Sequence, residues 1–182
     1  MSYPKPKRRL LIGAFIAAAA ALTLGLSVPA AMADSPDESA SGHKANAELL
    51  DPKCDVPPGH DPAVIQQIHD IATSRGVTEK VMLSMFEAGW VESHMNNLNC
   101  GDSDSLGVFQ QRPSQGWCDP ADLCMDVDHA TNAYLDQAIP NDQNNPGFTA
   151  GELAQSVQRS AYPERYDQSE GKARELIAEA QG

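Results

Sequence analysis

The sequence predicts a mainly α-helical domain with a long polar interruption at its centre, stapled by two disulfides. Three observations carry this. Asp61-Pro62 and Asp119-Pro120 each set a capping aspartate before a proline suited to the first helical position. Apolar residues recur at helical spacing after the first of these steps and again from Val81. Thr149-Ala150-Gly151-Glu152 has the form of a capping box, in which threonine and glutamate each bond the other's orphan backbone N–H.

In chain order, residues 1–33 read as a cleavable signal peptide. Lys5, Lys7, Arg8 and Arg9 form a basic start, Leu10 to Val28 is apolar, and Ala31-Met32-Ala33 ends on small residues. The expected product is secreted or held at the cell wall, with no membrane segment after cleavage. Residues 34–53, rich in Asp, Ser, Glu, Ala and Lys, read as a flexible spacer, so that the folded domain covers 54–182.

Within that domain, Val64, Ile65, Ile68, Ile71 and Ala72 make one stripe, stopped at Gly76. Thr78 caps a second helix to about His94, with Met85, Phe86, Gly89 and Trp90 turned inward. Residues 96–118 are dense in Asn, Asp, Ser, Gly and Pro around Leu106-Gly107-Val108-Phe109, which predicts a long central loop or small hairpin. Further helices are expected over much of 120–139, from Ala150 to about Ser160, and over about 168–180, separated by a turn-rich stretch from Asn141 to Gly147.

Cys54, Cys100, Cys118 and Cys124 give an even count, the simplest reading of which in an exported domain is two disulfides. Three pairings exist; the short loop Cys118–Cys124 with Cys54–Cys100 is preferred. Nothing has zinc-ligand spacing, so neither a metal nor a cofactor is expected. The chain has 13 Lys+Arg against 25 Asp+Glu. Losing residues 1–33 removes four bases and no acid, leaving 9 against 25 and a formal charge of −16. Such a surface repels nucleic acid and anionic lipid.

The chemistry-bearing residue next to the loop is Glu92, in Trp90-Val91-Glu92-Ser93-His94. Beside Trp90, and near Phe109 if the loop folds back, its carboxyl would lose hydration and hold its proton as a general acid does. Asp102 and Asp104 are the nearest second carboxylates, and read as turn residues that bond their own backbone. Glu87, five residues earlier, lies about 140° around the helix and faces elsewhere. Trp90 and Trp117 are aromatics able to stack on sugar rings.

Glu92-Ser93 followed by Ser105-Leu106-Gly107-Val108-Phe109-Gln110 resembles the motif pair of the lysozyme-like superfamily, which includes lytic transglycosylases and goose-type lysozymes. The stretches from Gly101 to Trp117 and from Ala154 to Pro163 resemble a domain of exported actinobacterial proteins. The resemblance implies a lysozyme-like helical fold and a monomer acting on peptidoglycan glycan strands. It makes Glu92 the single acid/base, Ser93 a support of the loop, and Ser105 and Gln110 residues of the cleft. It sets Tyr162 near the family's Tyr-Asn-Ala-Gly segment, although here the segment is Tyr162-Pro163-Glu164-Arg165. The alternative expectation is a non-catalytic module of the same fold that holds wall glycan or a protein.

Overall fold

In a computed structural model, residues 44–182 are described; the expected signal peptide and the first part of the spacer, residues 34–43, lie outside them. Helix α1 is Asn46–Leu50, α2 Pro62–Ser74 and α3 Glu79–Ser93. Two 3-10 turns, Pro113–Gln115 and Ala121–Met125, lead to α4 Val127–Asn144. The chain ends with α5 Ala150–Gln158, α6 Arg165–Gln168 and α7 Glu170–Gln181. Among the described residues there is no strand. The expected hairpin is a single antiparallel bridge, Leu106 with Gln111, whose backbone groups exchange bonds of 3.0 and 2.9 Å.

The caps act where the sequence puts them. Asp61 accepts from Ala63 and Val64, Thr78 from Val81, and both halves of the Thr149–Glu152 box form. The Asp119-Pro120 step does not start a long helix. It opens a 3-10 turn held by the Cys118–Cys124 bridge, and Asp126 caps α4 instead, accepting from Asp128 and His129. α4 also runs through Pro140 into the stretch expected to be loop. Both cysteine pairs are those preferred from sequence, Cys54–Cys100 and Cys118–Cys124.

α3 is the axis of the domain. It is buried around its circumference rather than along one stripe, because α1, α4, α5, α6 and α7 all pack on it. Phe86, Met85 and Ala88 are fully buried, and Tyr134 of α4 stacks on Phe109 with ring centroids 5.1 Å apart. Gly89 is where the chain after α3 folds back: a Cβ there would lie 2.3 Å from Met95 Sδ.

The spacer ends sooner than its composition suggests. Ala45, Asn46 and Ala47 are buried, and together with Cys54, Val56 and Leu98 they form a second small apolar cluster. A five-residue helix without a side-chain cap has little stability of its own. Packing on α3 and the Cys54–Cys100 bridge supply it.

Burial of α3 on all sides also encloses Glu87, whose carboxyl oxygens have no hydrogen-bond partner among the described residues. Desolvation, aided by Asp167 and Glu170 and opposed by Arg174, pushes its pKa up to about 8. The folded state therefore holds this proton more tightly than the unfolded chain, and its stabilising effect is lost as pH rises from about 4.5 to 8. Wild-type thermal unfolding should show stability falling across that window. Glu87→Gln should flatten the fall by on the order of 3 kcal/mol. Parallel pH profiles for the two proteins would disprove a buried, protonated Glu87.

Candidate functional site

Glu92 sits in the last turn of α3, where helix meets loop. His94 ends the helix in the left-handed region at φ 51°, and its N–H bonds back to Trp90 O at 2.9 Å. Ser93 Oγ lies 2.7 Å from Val108 O and 3.1 Å from Gly89 O, so its proton ties the loop to the helix. The loop needs a glycine at 107: φ is +79°, and a Cβ would meet Cys124 O at 2.1 Å.

The Glu92 side chain is buried, only 7 % exposed, at the wall of a cleft of about 810 Å³. Tyr166 Oη donates to its Oε1 at 2.5 Å and Asn46 Nδ2 donates to the same oxygen at 3.0 Å. Gln158 is a third hydrogen-bond partner of the carboxyl. Burial is the largest influence and raises the pKa; the bonds from Tyr166, Asn46 and Gln158 and the Arg165 charge pull it back, leaving it above the ordinary value. The Tyr166 phenol is itself buried, and loss of its proton is strongly disfavoured by desolvation and by Glu92, so it stays a donor.

The rest of the cleft is rich in carboxamides. Gln110, Gln111, Gln115, Gln137 and Gln158 line it, with Trp117 as an aromatic wall. Most of these amides are already fixed by backbone. Gln158 Nε2 bonds Phe109 O at 2.8 Å, and Gln111 Nε2 bonds Ala130 O at 3.0 Å. Gln110 Nε2 bonds the carbonyls of Cys100 and Gly107, both at 3.1 Å. Two guanidinium groups, Arg112 and Arg159, also border the cleft, setting cationic groups at the mouth of a strongly acidic protein.

Of the residues singled out from sequence, Glu92, Ser105 and Gln110 meet in this cleft. Trp90 does not. Two residues from Glu92, it lies about 200° around the helix. There it stacks on His94, ring centroids 4.4 Å apart, with Lys172 Nζ 5.5 Å from its ring centre. Trp90 is thus turned away from the Glu92 carboxyl. Tyr162 is also misplaced: it is 37 % exposed, and the tyrosine on Glu92 is Tyr166, four residues on. Asp104 is committed elsewhere. It accepts from Arg112 Nε and Ser114 N, both at 2.7 Å, and these contacts hold its carboxyl well below the usual range. Asp102 borders the cleft.

Sequence reading missed Asn46, Gln158 and Tyr166. Tyr166 is reachable only because Gly151 admits α6 to the start of α5. A Cβ on Gly151 would lie 2.5 Å from Asp167 N, and Asp167 Oδ1 accepts from Gly151 N at 3.1 Å. Among the described residues no cluster of His, Cys, Asp or Glu could hold a metal ion, and no helix is long and apolar enough to cross a membrane. The chain matches no family model and no curated protein.

Removing the phenol should show how Glu92 is tuned. Tyr166→Phe should raise the Glu92 pKa by about one pH unit, since the lost bond favoured the charged form. Tyr162→Phe should leave it unchanged. Carboxyl carbon chemical shifts followed against pH read both; an equal response in the two variants would contradict the assignment of Tyr166.

Proposed function

We propose that the chain is a secreted, lysozyme-like protein that cleaves peptidoglycan glycan strands with Glu92 as its one acid/base. The observation that carries this reading is the setting of Glu92: a desolvated carboxyl, held at Oε1 by two fixed donors, on the wall of an amide-lined cleft. Burial keeps the acid form populated, while the donors keep the conjugate base accessible, and both forms are needed in one cycle. An amide-rich wall with one indole suits an uncharged sugar polymer, which offers hydroxyl and acetamido groups for hydrogen bonds and pyranose faces for stacking.

In the proposed reaction the Glu92 proton passes to the oxygen linking N-acetylmuramic acid to N-acetylglucosamine. The C1–O bond breaks with its electron pair left on that oxygen, freeing the glucosamine hydroxyl. The Glu92 carboxylate then takes a proton from water, or from the muramoyl 6-hydroxyl, as that oxygen bonds to C1. Water gives hydrolysis; the 6-hydroxyl gives an anhydro end. With Asp104 engaged by Arg112 and Ser114, Asp102 is the one other carboxylate among the described residues that lines the cleft, and the candidate for a two-carboxylate scheme. The two disulfides fit a protein working outside the reducing cytosol.

Purified protein and Glu92→Gln should be incubated with peptidoglycan and the released muropeptides analysed by mass. Release should fall by about 10²-fold or more in the variant. Equal release by both proteins would remove Glu92 as the acid/base, and none by either would leave a glycan-holding module in place of an enzyme. For the active protein, kcat/KM should fall as pH rises through the Glu92 pKa, with that limb above the ordinary glutamate value of 4.5. A limb at or below that value would mean that protonated Glu92 is not the acid.

A further inference from the structure

Helix α1 has little stability of its own, yet its first residue reaches the buried carboxyl on the wall of the cleft. Asn46 is 2 % exposed. Its Nδ2 donates to Glu92 Oε1 at 3.0 Å and approaches Ser160 Oγ at 3.3 Å, while its Oδ1 accepts from Arg165 Nη1. The other guanidinium arm of Arg165 donates to Lys44 O. One arginine thus holds both the backbone before α1 and the amide oxygen of Asn46, which fixes which end of that amide faces Glu92. Ala47 and Leu50 of the same turn line the cleft, and Cys54–Cys100 fastens the segment to the loop.

We propose that the arm Lys44–Cys54 is a working wall of the site, in which Asn46 is a positioning residue for Glu92 and Arg165 with the Cys54–Cys100 bridge holds it in place. The claim rests on the reading of Glu92 as the acid/base and goes beyond it. Tyr166 and Asn46 approach Oε1 together, so Oε1 is the anchored oxygen. Anchoring one oxygen fixes the carboxyl plane and leaves the proton exchanged with substrate to Oε2. The charged and titratable groups facing Glu92 are Arg165 and Tyr166 from α6, Tyr134 from α4 and, bordering the cleft, Asp102, Arg112 and Arg159. None of these lies on the arm, so Asn46 is the arm's polar contact with the carboxyl.

The test is nuclear magnetic resonance on the purified protein, following the Glu92 carboxyl carbon and the Asn46 side-chain amide against pH. In the wild type the Asn46 amide should move with the same midpoint as Glu92, and in Glu92→Gln it should stay flat. Asn46→Leu, similar in size and unable to donate, should raise the Glu92 midpoint by about half a pH unit or more. In Cys54→Ser/Cys100→Ser the Asn46 amide should shift toward the position of a solvated asparagine. A wild-type Asn46 amide indifferent to Glu92, or an unchanged midpoint in Asn46→Leu, would overturn the proposal. If Asn46→Leu fails to fold, the wild-type titration decides alone. Coupled titration without glycan release by any protein would uphold the wall and reject the reaction.

Discussion

The structure depends on one requirement: a carboxyl buried at the end of the central helix must be hydrogen-bonded. A buried acid without donors is expensive in either charge state. Glu92 meets the requirement with groups from three separated segments, Asn46 of α1, Gln158 of α5 and Tyr166 of α6. Each of these segments is then constrained in turn. α6 can deliver Tyr166 only if Gly151 stays free of a side chain, and Asp167 locks that approach by capping the start of α5. α1 can deliver Asn46 only while Arg165 and a disulfide hold it. One carboxyl thereby fixes the relative placement of α1, the end of α3, α5 and α6.

The same helix end also organises the polar loop. Ser93 is adjacent to Glu92 and points to the other partner, Val108 O, so one dipeptide addresses both the remote donors and the loop. The loop returns Phe109 O to Gln158, which in turn contacts Glu92. Such closed circuits make each member hard to displace alone, because every displaced group leaves another buried polar atom unmatched. The regular structure of the loop amounts to one bridge, Leu106 with Gln111, and the 3-10 turn Pro113–Gln115. Its definition comes instead from side chains bonded to backbone, at Ser93, Gln110, Gln111 and Asp104.

What could be read from sequence is what local chemistry decides. Asp61, Thr78 and the Thr149–Glu152 box start helices because their cap bonds span only a few residues. Glu92 was visible by its place before a polar loop. The position of Trp90 was legible too, by counting: two residues on a helix turn it to the far side, which the attraction of an aromatic neighbour obscured. Asn46 was not legible, since 34–53 has the composition of a spacer and the order of α1 comes from packing on α3, the Cys54–Cys100 bridge and Arg165, the last over a hundred residues away. Tyr166 escaped for a similar reason: which of two tyrosines, four residues apart, reaches the cleft is decided by the Gly151–Asp167 contact and not by either residue.

Glu87 and Glu92 show why donors, rather than burial, separate a structural acid from a useful one. Both lie on α3, both are buried, and desolvation is the largest influence on each. Around Glu87 the neighbouring carboxylates of Asp167 and Glu170 add to desolvation, and no hydrogen bond supports the charged form. It keeps its proton and does not line the cleft that Glu92 borders. Around Glu92 every further influence opposes desolvation: the Tyr166 hydroxyl, the Asn46 and Gln158 amides and the Arg165 charge all support the carboxylate. An acid that must give up a proton and then recover it needs both forms within reach of one pH. Burial alone would have made Glu92 a second Glu87; the donors gathered from α1, α5 and α6 make it exchangeable.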